Sequence, residues 1–266
     1  MTARPAASAP WRVAMVATLL GGLLSLLLFA PARWLGWALG SASGGRIELT
    51  QPRGTLWQGQ GQLVLTGGPG SRDSAALPDG VHWQLRPGWT GGPALHLHLQ
   101  VPCCAPQGLQ ATLRPLVGGF DLTLSPQQSR WPTALLAGLG TPWNTLQLQG
   151  QLRLDSPGLQ ARWVQGRLRL DGQLQVDALD LSSRLSTLAP LGSYRLTLAA
   201  PGGQDPQLEL ATLAGALQLS GSGQWVGGRL RFQGEAQASE DHEAALSNLL
   251  NIVGRRSGRR SLIAIG

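Results

Sequence analysis

Lysine is absent from this 266-residue chain; all 21 of its basic residues are arginine. A phosphate-binding Gly-Lys-Ser/Thr loop and a Schiff-base lysine are therefore excluded. Cysteine is reduced to one adjacent pair, Cys103-Cys104, which leaves no spaced thiols for a zinc site or a thioredoxin-like motif. Only four histidines occur, and neither a His-Glu-x-x-His motif nor a Gly-x-Ser-x-Gly elbow is present. Charge is sparse at 13%, and the aromatics are lopsided: ten Trp against three Phe and one Tyr. Nothing in this inventory points to catalytic residues, a cofactor or a metal, and the chain reads as a non-enzyme.

What is present suits a folded β-domain. The hydrophobic fraction of 42% argues against wholesale disorder, and 37 glycines suit short strands joined by many turns. A net charge of +7 raises nucleic acid or anionic membrane as partners. Most arginines are spread singly, as at Arg153, Arg167 and Arg169, which fits a solvated sheet face and no nucleic acid. The one dense cluster is Arg255, Arg256, Arg259 and Arg260, positioned to meet lipid headgroups or an acidic partner.

The only long apolar run covers residues 13–30. As a helix it reaches about 27 Å, near the thickness of a hydrocarbon core. Arg4 and Arg12 precede it and Arg33 follows, so residues 1–12 are expected in the cytoplasm and the bulk across the membrane. Trp11, Trp34 and Trp37 flank the run where interfacial aromatics belong. Ala30-Pro31-Ala32 resembles a signal cleavage site, but the run exceeds the usual signal core, which favours an anchor. Residues 31–45 then read as a linker ending in a Gly/Ser hinge, and 46–266 as a periplasmic β-rich domain.

Alternation marks that domain. Leu95-His96-Leu97-His98-Leu99-Gln100-Val101 puts Leu and Val on one face and His and Gln on the other. The same period of two recurs at Leu146-Gln147-Leu148-Gln149, Leu168-Arg169-Leu170 and Leu217-Gln218-Leu219. Half-buried strands of a largely antiparallel sheet follow. Two helices interrupt the pattern: a brief one over 129–139, and a stronger one over 240–253 with Leu246, Leu249 and Leu250 on one side. The second is expected to pack on the sheet, with Gly254 as its stop. Trp57, Trp163 and Trp225 each precede a Gly-containing turn, an unevenly spaced strand–turn–strand repeat.

Two further features carry chemistry only weakly. Cys103-Cys104 is compatible with a vicinal disulfide, a mixed or intermolecular bridge, or buried thiols. His96 and His98 share a strand face, but no acidic residue or further His lies close in sequence, so an ordinary polar face accounts for them.

The motifs and their order resemble the type II secretion system protein N family. Gly54-Thr55-Leu56-Trp57-Gln58-Gly59 resembles the start of its periplasmic domain, and Trp83-Gln84-Leu85-Arg86-Pro87 its Trp-x-Leu-x-Pro strand end. Gly192-Ser193-Tyr194, then Gly221, Trp225, Gly234 and Gly254, continue the family order to the C-terminus. The resemblance implies an accessory inner-membrane component, without catalytic residues, of the machine that exports folded proteins from the periplasm. Partners would be other type II secretion components, and membrane lipid through the N-terminal helix. It also implies a distant likeness to AsmA-like proteins, with a curved antiparallel sheet and an apolar groove, so lipid handling is the alternative function. An outer-membrane barrel is disfavoured because the terminal Ile265-Gly266 lacks a closing aromatic.

Overall fold

A computed structural model describes residues 10–226 and 229–266. Two helices come first, α1 (Pro10–Leu28) and α2 (Arg33–Ala42). Then follow β1 (Ile47–Gly54), β2 (Gln58–Thr66), β3 (Ser74–Ala76), β4 (Val81–Trp89) and β5 (Pro93–Val101). Next are β6 (Ala105–Leu116), β7 (Gly119–Leu124) and β8 (Gln127–Pro132). A 3-10 helix, Thr133–Leu139, and the one-turn α3 (Trp143–Leu146) lead into the two longest strands, β9 (Leu148–Val164) and β10 (Arg167–Ser183). The chain continues through β11 (Gly192–Ala200), β12 (Gln207–Gly215), β13 (Leu217–Val226) and β14 (Arg229–Ala238). It finishes with α4 (Glu243–Val253), β15 (Arg255–Ser257) and β16 (Arg260–Ile265).

All sixteen strands join one sheet, and the mainly β, antiparallel expectation holds. Neighbours in space are neighbours in sequence up to β14, apart from the short β3 and β8, which pair with β2 and β9, and β16 lies between β14 and β15. Each alternating stretch becomes a strand because its Leu face can be covered while its Gln, Arg or His face stays wet. Bulges break the register at Thr50/Arg53 and at Ala178/Leu181, where Gln51 and Asp180 take positive φ. Such insertions bend a strand and increase its twist.

Antiparallel order sends the hairpin turns alternately to two margins. The upper margin holds the turns β1–β2, β4–β5, β6–β7, β9–β10, β11–β12 and β13–β14. The lower margin holds the remaining connections, and both packed cores lie towards it. In one core, Leu246, Leu249 and Leu250 of α4 cover Leu181, Leu191, Tyr194, Leu217 and Ala236. In the other, Leu135 of the 3-10 helix meets Leu77, Val81, Trp83, Val101 and Ala105.

Several expectations need correction. The apolar run over 13–30 lies largely in α1 (Pro10–Leu28), which stops at Leu28 ahead of Pro31, a residue that disfavours helical backbone before it. Among the described residues no helix is long and apolar enough to cross a membrane. Residues 1–9, most of the segment expected in the cytoplasm, lie outside the described residues. Most of the linker segment 31–45 is helical: α2 occupies it and packs along β1, with Gly36 against the Leu49 carbonyl. The brief helix expected over 129–139 is a strand, β8, up to Pro132, with the 3-10 helix after it. Pro132 is extended and cannot supply an amide to a helix reaching back through it. The C-terminal helix forms and packs on the sheet, but a separate 3-10 turn, Glu240–His242, precedes it. Gly254 stops the helix as expected, in extended conformation, and leads straight into β15.

Candidate functional site: an open apolar sheet face

Between the two cores the apolar face of the sheet has no second layer among the described residues. Direct register carries Leu85, Leu97, Ala111, Leu124 and Leu159 across five strands in one row. A row nearer the upper margin runs Leu95, Leu113, Leu122, Ala161 and Leu170. Nearer the lower margin, two further rows cross β10, β11 and β12: Leu174, Leu198, Leu208 and Val176, Leu196, Leu210. None of these side chains is fully buried, and Leu122 is exposed. The rows end at the upper margin on Phe120, Trp163 and Leu168, in direct register and all exposed, beside a fully exposed Val117.

The opposite face is polar and tied by ion pairs. Asp177, 1% exposed, accepts from Arg195 Nε at 2.7 Å and from Arg153 Nη2 at 2.6 Å. The Arg195 hydrogen bonds, reinforced by Arg153, bring its carboxyl down to about 2 against the opposing effect of burial. Burial likewise pulls Asp121 upward, but hydrogen bonds from Gln160 and Arg162 outweigh it and leave the carboxyl lowered. Asp177 thus ties β10 to β9 and β11, and Asp121 ties β7 to β9, across the unlayered centre.

The residues that carry the family motifs fall into two groups. At the first, Trp83 on β4 donates its Nε1 to the carbonyls of Leu56 (3.1 Å) and Thr55 (3.3 Å), and its ring occupies the space a Cβ on Gly59 would need. Trp57 donates to the Leu27 carbonyl of α1 at 2.8 Å, and Pro31 bridges Thr55. Gly54, at positive φ, lies against Gln58 and Gly59, so this motif is the joint between the apolar helix and the sheet. Pro87 is separate: it sits inside β4 opposite Leu95 rather than at the strand end. At the second group, Tyr194 donates to the Leu217 carbonyl at 2.9 Å with its ring filling the space beside Gly192, and burial raises its hydroxyl pKa. Gly221 and Gly234 pair across β13–β14 and make room for Phe232, whose Cζ lies 2.5 Å from where a Gly221 Cβ would stand. Trp225 registers with Leu230 beside a turn whose residues 227–228 lie outside the described residues. Gly254 rests on the Leu262 carbonyl, closing the second core.

The remaining candidates are placed individually. Cys103 and Cys104 form a vicinal disulfide in the β5–β6 turn. His96 contacts Thr112 at 3.1 Å and Thr90 at 3.4 Å, while His98 lies 3.5 Å from Gln100. Among the described residues no cluster of three His, Cys, Asp or Glu could hold a metal ion. A shallow cleft of about 630 Å³ near the first motif group is lined by His82, His98, Gln84 and Gln100 beside Trp83. The arginine cluster is largely satisfied within the fold: Arg259 pairs with Glu240 and Glu243, Arg256 with Glu243, and Arg260 with Glu235. Sequence reasoning missed the exposed Val117, Phe120 and Leu122; for Phe120 and Leu122 the signal available was their alternation with Asp121 and Thr123.

No curated protein and no solved structure is significantly similar to the chain. The profile of the family "Type II secretion system (T2SS), protein N" matches residues 45–262, from the end of α2 to the middle of β16. The chain belongs to the type II secretion system protein N family.

Proposed function

We propose that the protein is a non-enzymatic, accessory inner-membrane component of the type II secretion machinery, with the sheet in the periplasm and a structural or assembly role in export of folded proteins. The observation that carries this reading is the family match across nearly the whole sheet domain. The anchor is assigned to residues 13–30 with the N-terminus cytoplasmic. In its support, the apolar side chains of α1 from Val13 to Leu28 are exposed to solvent along the helix. Helix α1 begins with Pro10-Trp11-Arg12, so its apolar part is short, and a bilayer accommodates such mismatch by local thinning. Crosslinking in native membranes followed by purification tests the role. Co-recovery of other secretion components is expected; recovery of lipid without any of them overturns it.

The alternative is a lipid-handling protein. The uncovered Leu rows between the cores favour it, since that face offers acyl chains a continuous apolar strip. Mass spectrometry of protein extracted without added detergent checks it, and absence of co-purified lipid counts against it.

A further inference from the structure

The geometry points to the upper margin of the sheet as a membrane-contacting rim that seats on the anionic phospholipid surface beside the anchor. This rests on the anchor assignment of the preceding section and goes beyond it. Three independent observations converge on that margin. First, α1 leaves the sheet there and nowhere else: Trp57 Nε1 holds the Leu27 carbonyl, the Leu56 amide donates to the Ala30 carbonyl at 2.7 Å, and Pro31 bridges Thr55. Any membrane that holds α1 therefore lies on the side of the β1–β2 turn. Strand parity puts the β4–β5, β6–β7 and β9–β10 turns on that same side.

Second, those turns expose apolar side chains of the kind that partition into an interface. Trp89 is 80% exposed at the β4–β5 turn and Val117 100% at the β6–β7 turn, and Trp163 and Phe120 form an exposed cross-strand pair beside them. Trp favours the headgroup region, where its ring is apolar on one side and its N–H reaches water. The Trp-before-turn repeat thus acquires a reason: Trp163 stands at this margin at the end of β9. The lower margin contrasts, since its apolar residues are packed into the two cores. Third, Arg167 and Arg229 open β10 and β14 at the same margin, exposed and, among the described residues, without an ion-pair partner. Arginine there complements anionic headgroups.

The test uses the full chain reconstituted into phosphatidylglycerol–phosphatidylethanolamine vesicles, with and without brominated acyl chains that quench tryptophan. Trp89→Phe and Trp163→Phe are compared with Trp143→Phe, an exposed position at the lower margin. Each rim variant is expected to lose one tryptophan's share of the lipid-quenchable emission, and Trp143→Phe none. If the parent fails to float with the vesicles, the anchor assignment fails and this proposal with it. If it floats but the rim variants keep the parent's quenchable emission, or Trp143→Phe loses as much as they do, the rim proposal is overturned while the anchor stands.

Discussion

The two margins of the sheet are built from the same alternating pattern yet finish differently. At the lower margin the apolar face is roofed by α4 and by the 3-10 helix, and side chains such as Leu246 and Val101 lose all contact with water. At the upper margin the same rows run out onto exposed Phe120, Trp163 and Leu168. Stability is therefore concentrated in the roofed half, and the bare half is left free for contact. The difference teaches that alternation specifies which face is apolar but not whether anything covers it.

The comparison can be broken most sharply at Leu246. Its truncation to Ala in the roofed half should cost about 2–5 kcal/mol, since a buried Leu leaves a cavity. Denaturant unfolding in detergent micelles reads this, and a cost near zero would contradict the division into halves. Next in size is Gly221→Ala, whose new Cβ meets the Phe232 ring; overpacking of this kind costs about 1–3 kcal/mol. Phe232→Leu in the same background should recover part of the loss, and no recovery would argue against the steric account.

A smaller, pH-dependent effect belongs to the polar face. The Asp177 carboxyl is depressed from 3.8 to about 2 in the folded chain. Its contribution is thus fully present above about pH 4 and is lost as pH falls towards 2, because the unfolded state takes up the proton first. Comparing acid unfolding of the parent and Asp177→Asn should show the variant's stability flatter across that window; parallel curves would remove the Arg195–Asp177–Arg153 group as a stabiliser. The smallest change is expected at Leu168→Ala in the bare half, within roughly 0.5 kcal/mol. A loss as large as that of Leu246→Ala would mean the upper margin is roofed after all.

Much of the architecture is legible in the residues. Leu95 to Val101 alternates and becomes β5 with Leu97 opposite Leu85 and Ala111, and Leu246, Leu249 and Leu250 at helical spacing become the buried side of α4. Boundaries were harder. The Arg130-Trp131-Pro132 stretch carries no alternation of its own, and pairing with Arg153 and Leu152 on β9 draws it into the sheet. Helix α2 was hidden because the segment closes on a Gly/Ser stretch, Ser41 to Gly45, that reads as a hinge, whereas Gly36 allows the close approach to the Leu49 carbonyl that seats the helix on β1. The candidate site was legible only as an apolar face; that its centre is uncovered depends on where the 3-10 helix and α4 stop, which no local pattern encodes. The vicinal disulfide was one of three states that sequence left open, since adjacency fixes proximity but not oxidation.

Strand order has a consequence for how the chain is made. Because the sheet grows in chain order from β1 to β14, each new strand can pair with the one synthesised just before it, by a mostly local closure of the kind that folds quickly. The first core needs only residues up to Leu135 and can close while synthesis continues. The second cannot: its roof is α4, and β16 must slide in between β14 and β15 to seat Ser261 under the Leu250 carbonyl. A nascent chain halted before residue 243 would hold one finished end and one open one, so ribosome-stalled chains should be protease-resistant at the first end well before the second.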